Sequence, residues 1–160
     1  MSQQEPVGIL LGAAYRRIKQ VVSARVRRHG LTSQQTLVLV AVRECAGGSL
    51  GGIAARIRMD QPTASRIVMT LTKRKLVRVE EDPGDRRRAR IFLTPQGRKL
   101  ARELQAVAKE IRAASEAGFT AGEQRTLRRL LHGVIANIER YERERPGGRK
   151  ARHFSSVSTR

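Results

Sequence analysis

The sequence predicts an α+β fold that is mostly helical, and two kinds of pattern support that prediction. Six segments place apolar residues mainly three and four positions apart, the spacing that gives a helix one apolar face. Between the fourth and the fifth segment, residues 76–79 and 91–93 have the composition of strands, and residues 82–85 read Asp-Pro-Gly-Asp. Proline and glycine suit a tight turn, so the two strands are expected to form a hairpin.

The first three helices are marked by apolar spacing and by capping residues. Residues 7–28 carry an amphipathic stripe. Thr32 and Gln35 have the spacing of a capping box, in which each side chain bonds a backbone amide of the other residue, so a second helix is expected from there to about Ala46. A glycine pair ends it, and Ser49 can cap a short third helix.

The fourth helix has a polar outer face. Asp60 can cap it, a proline follows inside the first turn, and the helix is expected to run to about Arg74. Its apolar residues share one face, which leaves polar side chains and a basic end pointing outward. Two short helices joined by a tight turn, the second with such a face, form a helix-turn-helix pattern, and the hairpin follows where a wing would lie.

Two long helices complete the predicted fold. Thr94 and Pro95 open a fifth helix that ends near Gly118, and Thr120 and Glu123 have capping-box spacing before a sixth. Helices one, five and six present more apolar surface than a small domain can cover, which favours pairing with a second chain. Residues 146–160 are rich in glycine, small polar and basic residues and are expected to be a disordered tail.

The composition indicates a polyanionic partner. Lysine and arginine total 33 against 14 acidic residues, for a formal charge of +19, which suits nucleic acid or a membrane surface. Aromatic residues make up only 3% and tryptophan is absent, so base-stacking platforms for single strands are poorly supplied and duplex DNA is favoured. There is no apolar run of the roughly 20 residues that span a bilayer, and no signal peptide, so a cytoplasmic location is expected.

Residues 31–100 resemble the MarR family of bacterial winged-helix regulators. The most specific part runs from Asp85-Arg86-Arg87 to Leu93-Thr94, which is similar to the family's D-x-R hairpin followed by L-T and a new helix. The resemblance implies a homodimer with dimerisation helices in residues 1–30 and 95–145, and a winged helix-turn-helix DNA-binding lobe in residues 31–94. Lys75 stands where the family usually has glycine, so either lysine adopts the left-handed conformation there or another turn replaces it.

The resemblance also assigns roles in binding an operator. Helix four would enter the major groove, where Arg66 could bond guanine and its neighbours could meet bases or phosphates. Arg87 would enter the minor groove, oriented by Asp85, while Arg86, Arg88 and Arg90 would contact phosphate or only add soluble charge. The candidate residues of the recognition helix are Gln61, Pro62, Thr63, Ser65, Arg66, Thr70, Lys73 and Arg74; those of the wing are Asp85, Arg86, Arg87, Arg88 and Arg90.

An effector is implied by the resemblance alone. Many members of the family release DNA when a small aromatic acid binds, and Tyr15, Arg16 and Arg17 could offer a ring and cations to a carboxylate. The alternative is an exposed basic helix face. Cys45 lacks a second cysteine and is interpreted as core packing, and the histidines lack metal-ligand spacing, so no metal or cofactor is expected.

Three functions are compatible with the sequence to different degrees. The first is a dimeric transcription factor, usually a repressor in the family that it resembles, that reads a palindromic operator and responds to a small molecule. The second is a sequence-tolerant nucleic-acid packaging or RNA-binding protein, for which the charge and the basic tail would suffice. An enzyme has little support, because the sequence lacks a nucleophile motif, a phosphate-binding glycine loop and a carboxylate pair on an apolar helix face.

Overall fold

Six helices and two of the three strands in the described part of the chain follow the order that the sequence predicts. The computed structural model describes residues 5–144, except for the side chains of residues 85–88. The predicted tail, residues 146–160, lies outside the described residues. The elements are α1 Val7–Val26, α2 Ser33–Glu44, β1 Gly48–Ser49, α3 Leu50–Arg56, α4 Gln61–Lys73, β2 Val77–Asp82, β3 Asp85–Leu93, α5 Pro95–Ser115 and α6 Ala121–Glu144, with a 3₁₀ turn over Arg27–His29.

The chain divides into two units, Met1–Ser115 and Glu116–Arg160. The first contains α1 to α5 and the sheet, and the second contains α6. The mostly helical α+β fold is confirmed. The division into a dimerisation region and a DNA-binding lobe stays a prediction.

The predicted capping residues bond as expected. In the box before α2, the Thr32 amide donates to Gln35 Oε1 at 3.0 Å and the Gln35 amide donates to Thr32 Oγ1 at 3.1 Å. Ser49 accepts a bond from the amide of Gly52, which starts α3. In the second unit, the amides and side chains of Thr120 and Glu123 bond each other in the same way. Helix starts are therefore readable from local sequence, because the cap lies within three residues of the amide it satisfies.

The sheet differs from the predicted two-stranded hairpin in having a third strand. The order is β1-β3-β2, and both pairings are antiparallel. β1 contributes only Gly48 and Ser49, which pair with Ile91 and Arg90. Two residues give no periodicity to read, and the partners of β1 are about forty positions away in the chain, so local sequence did not reveal it.

The turn chemistry of residues 82–85 also predicts that arginines 86, 87, 88 and 90 cluster on a projecting loop. That prediction is wrong, because all four lie in β3. The ladder between β2 and β3 continues to the pair Asp82 and Asp85, with an irregularity at Glu81 and Asp82. Only Pro83 and Gly84 remain for the turn. A two-residue turn lets the strands pair almost to their ends, so the wing is a paired ribbon rather than a loop.

The core of the first unit is formed by side chains from the helix-turn-helix, the sheet and α5. Its largest fully buried side chains include Leu39 of α2, Ile53 of α3, Leu71 of α4, Ile91 of β3 and Leu104 of α5. Deep burial of Ile53 and Leu71 in one cluster fixes α3 against α4. The polar face of α4 is consequently turned outward.

Helices α1 and α6 keep large apolar side chains exposed. On α1 they include Ile9, Leu10 and Val21, and no residue of α6 is buried. Within the second unit, Leu130 and Ile138 are each more than half exposed. An apolar face of this extent is typical of a helix that packs against a further surface.

Candidate nucleic-acid interface

The start of α4 is held by Asp60. Its Oδ1 accepts a bond from the Thr63 amide at 2.8 Å, and Pro62 occupies the first turn, where its missing N–H costs least. The bond from the Thr63 amide is the main cause that lowers the pKa of Asp60 below its ordinary value of 3.8. The carboxylate is therefore charged at neutral pH and caps the helix.

The polar outer face predicted for α4 is present. Gln61, Pro62, Arg66, Thr70 and Lys73 are exposed, while Thr63 and Ser65 are half-buried. Ala64, Ile67, Val68 and Leu71 are buried beneath them. A helix docked by one face on a core presents its opposite face to a partner, and this face carries a guanidinium, hydroxyls and an amide.

Local bonds orient the central side chains of this face. Arg66 Nη2 donates to Thr63 Oγ1 at 3.2 Å, and Thr70 Oγ1 donates to the Arg66 carbonyl at 3.0 Å. The guanidinium of Arg66 has five donors, so most of them remain available for a base edge or a phosphate. The amide of Gln61 lies against Gly51 of α3, where an added Cβ would be 3.1 Å from Nε2.

Met69 belongs to the same face and was missed by sequence reasoning. Its side chain is 54% exposed. It is three residues after Arg66 and four before Lys73, so the three share one side of the helix, and that spacing could have revealed it. An apolar side chain at this place suits contact with a thymine methyl group.

The two basic residues at the end of α4, Lys73 and Arg74, are both exposed but differ in their contacts. Lys73 is exposed on the outer side. Arg74 instead donates two hydrogen bonds to the backbone carbonyls of Gly30 and His29, at 2.7 and 2.9 Å. These bonds within the fold use two nitrogens of the Arg74 guanidinium. The predicted contact of Arg74 with phosphate stays a prediction.

The wing is braced at its tip by an ion pair. Arg90 Nε lies 2.8 Å from Asp82 Oδ2, and Arg90 Nη2 lies 3.3 Å from Asp82 Oδ1. The amide of Gly84 also bonds Asp82 Oδ1, at 2.9 Å. Arg90 therefore stabilises the turn. The contacts predicted for the side chains of Asp85, Arg86, Arg87 and Arg88 lie outside the described residues.

The effector residues predicted on α1 do not form an enclosed site in the described part of the chain. Tyr15 is 61% exposed, and the Nζ of Lys19 lies 6.0 Å from the centre of its ring. Arg16 and Arg17 are exposed on the same helix. Arg16 folds over Gly12 and also borders a shallow depression along α1.

A cavity with four arginines lies between the end of α2, the sheet and the start of α5. We call it the arginine cavity; its volume is about 300 Å³. The Arg78 guanidinium lies 4.7 Å from the centre of the Phe92 ring. Arg98 donates to the Leu93 carbonyl at 3.0 Å and Arg43 donates to Gln105. The lining comprises Val42, Arg43, Ala46, Arg78, Phe92, Leu93, Arg98 and Arg102.

The arginine cavity suits an aromatic anion. Its apolar wall can cover a ring, and guanidinium groups pair with carboxylates in a fixed fork geometry. Sequence reasoning missed it because its residues come from three separate parts of the chain. Only Arg98 and Arg102, one helical turn apart on α5, gave a local signal.

Comparison with known proteins settles the family. The MarR family model matches residues 29–88. The chain is also 33% identical over 135 residues to the HTH-type transcriptional repressor NicR of Pseudomonas putida, a match that covers 84% of this chain and 85% of that protein. The chain belongs to the MarR family.

Solved structures of MarR-type regulators share the fold. BpsR of Bordetella bronchiseptica, whose structure describes the regulation of its DNA binding by 6-hydroxynicotinic acid, is 33% identical, with a TM-score of 0.70 over 82% of this chain and 99% of that one. The DNA complex of MepR from S. aureus is 20% identical, with a TM-score of 0.76 over 84% of this chain and 99% of MepR. The latter likeness shows the fold alone.

Membership in the MarR family makes this chain a DNA-binding transcriptional regulator rather than an enzyme. In the described part of the chain, the helices are too short or too polar to cross a membrane. Among residues 5–144, His, Cys, Asp and Glu side chains do not gather in groups of three that could hold a metal ion.

Proposed function

We propose that the protein is a homodimeric repressor that binds a palindromic operator in the cytoplasm and is released by a small aromatic acid. The outer face of α4 carries the proposal. There Arg66 projects from a helix that is fixed on the core, with the exposed Met69 and Lys73 beside it. Such a face is suited to the edges of bases in the major groove.

The dimer is supported by the apolar faces of α1 and α6. A two-fold dimer covers the same surface on both chains and places two copies of α4 at equivalent positions. Recognition helices arranged in this way read two inverted half-sites about one helical turn apart, so the operator is expected to be palindromic.

Binding to the operator and to scrambled DNA of equal length, across a salt series, tests this function. We expect a preference of at least about 1,000-fold for the operator, because specific readers exceed their own nonspecific binding by that much or more. The charge of +19 supports a second candidate, a sequence-tolerant packaging protein. Equal affinities that fall together as salt rises would favour that candidate.

The arginine cavity is the proposed effector site. The BpsR likeness supports an aromatic carboxylic acid as the ligand, since 6-hydroxynicotinic acid is one. Phe92 and Val42 would cover the ring, and Arg102 would pair with the carboxylate. Arg102 has no hydrogen-bond or ion-pair partner among the described residues, so its guanidinium is available for a ligand.

Calorimetric titration of the free protein with 6-hydroxynicotinate tests the site. We expect Arg102→Gln to weaken binding about tenfold, the usual effect of losing a charged hydrogen bond. The matched control is Arg16→Gln, which removes a cation from the alternative effector site on α1. If Arg16→Gln weakens binding and Arg102→Gln does not, the effector binds along α1 and the cavity assignment is wrong.

A further inference from the structure

The end of the recognition helix is bonded to the junction between α1 and α2. The junction, residues 27–31, begins with the 3₁₀ turn Arg27–His29 and continues with Gly30, whose φ of +62° is left-handed. Glycine adopts this conformation without strain. The amide of Gly30 bonds back to the Arg27 carbonyl, and this bond does not use the carbonyls of His29 and Gly30.

Arg74 occupies those two carbonyls from a position 44 residues further along the chain. Its Nη1 donates to the Gly30 carbonyl at 2.7 Å and its Nη2 donates to the His29 carbonyl at 2.9 Å. The two bonds leave from different nitrogens of one planar group, so they fix the direction of the group as well as its position. The carbonyl end of a helical turn also carries partial negative charge, which favours a cation there.

The same end of α4 is also fixed by its link to β2. The Lys75 amide donates to the Thr72 carbonyl at 2.8 Å, and the Leu76 amide donates to the Leu71 carbonyl at 2.9 Å. This pair of bonds is a Schellman motif, and it leads into the buried Leu76. The last turn of α4 is thus closed by its own backbone bonds and is tied to the junction through Arg74.

We propose that Arg74 is a positioning residue that transmits the orientation of α1 to the recognition helix. In a dimer joined through α1, the end of α1 has a fixed place relative to the two-fold axis. Arg74 ties α4 to that end, so it helps to set the separation of the two recognition helices. This inference rests on the proposed function, because it requires that two copies of α4 read one operator.

Positioning and phosphate contact use different properties of Arg74. A phosphate contact depends on charge, which lysine also supplies, and it contributes to the salt dependence of binding. Positioning depends on two bonds from one fork, which the single ammonium of lysine does not reproduce. Both bonds from Arg74 to the junction are made within the protein, without DNA.

The variants Arg74→Lys and Arg74→Met separate these roles. Affinity is measured across a salt series for the operator, for scrambled DNA, and for operators whose half-site spacing is changed by one base pair. We expect Arg74→Lys to bind the operator about tenfold more weakly, with unchanged binding to scrambled DNA. We also expect its preference for the natural spacing to be reduced and its salt slope to match that of the unaltered protein.

Lys73→Met is the matched control, since Lys73 is exposed on the outer side of the same helix end. As a phosphate contact, it should weaken binding to both DNAs and reduce the salt slope by about 0.9 for each chain. If Arg74→Met behaves in that way and Arg74→Lys binds like the unaltered protein, Arg74 is a phosphate contact and the proposal is overturned.

A purely structural role is also distinguishable. In that case both Arg74 variants would lower the melting temperature while the preference for operator over scrambled DNA and the preference for spacing remained unchanged, which would overturn the proposal. Arg74→Lys keeps the charge and most of the aliphatic stem, so it gives a folded test protein if Arg74→Met does not fold. If the unaltered protein shows no operator preference, the proposed function itself fails.

Discussion

At the residue scale, Lys75 is the clearest departure from the family pattern. Its φ is +56°, so lysine itself adopts the left-handed conformation after α4, the first of the two possibilities that the sequence left open. A side chain in this region costs about 1 kcal/mol or more relative to glycine. The Thr94 hydroxyl bonds the Lys75 carbonyl at 2.7 Å, which helps to hold the turn.

Lys75→Gly should therefore stabilise the protein. We expect the free energy of unfolding to rise by about 1 kcal/mol, because glycine removes the strain while the Schellman bonds use only the backbone. Urea denaturation measures the change, and Lys75→Ala is the control. Alanine retains a Cβ in the same conformation, so a gain as large as that of glycine would show that strain is not the cause.

At the element scale, the start of α4 depends on a charged cap. The amide of Thr63 bonds Asp60 and lowers the pKa of its carboxyl. A lowered pKa in the fold means that the charged cap contributes stability above the ordinary value of 3.8, and that this contribution is lost as pH falls through the folded pKa. The same holds for Glu123, whose pKa is lowered by its bond from the Thr120 amide.

Asp60→Asn tests the charge of this cap. Asparagine also accepts the bond from the Thr63 amide but does not titrate. We expect the unaltered protein to be the more stable of the two at pH 6, and the difference to shrink as pH falls below about 4. Melting temperatures of both proteins from pH 6 to 2.5 measure it. A difference that stays constant with pH would show that the cap does not depend on charge.

Elements differ in how far the sequence alone predicts them. The starts of α2, α3, α4 and α6 were predicted because each cap and its amide are three residues apart. The strand β1 was not predicted, because its partners in β3 are about forty positions away in the chain. The full length of β3 was not predicted, because its first half is a run of charged residues without the alternation of a strand. Arg74 shows the same limit within the candidate site: its basic character is visible locally, but its bonds to the junction depend on the tertiary fold.

At the scale of the whole molecule, the fold presents the face of α4 as its candidate reader of DNA. The core of the first unit fixes α4, the ribbon of β2 and β3 extends beside it, and the exposed faces of α1 and α6 favour a second copy. Arg66 was predicted as a base contact from the sequence, and its exposure and its bond to Thr63 are compatible with that role. Its contact with guanine stays a prediction.

The most direct test is a double-mutant cycle between Arg66 and the guanines of the operator. Each guanine is replaced in turn, symmetrically in both half-sites, and affinity is measured for the unaltered protein and for Arg66→Ala. A bidentate pair with guanine is worth about 1–3 kcal/mol. We predict that one symmetric replacement weakens the unaltered protein by at least about tenfold and leaves Arg66→Ala unaffected. If the effects of Arg66→Ala and of every guanine replacement simply add, Arg66 does not read a base and the account of α4 is contradicted.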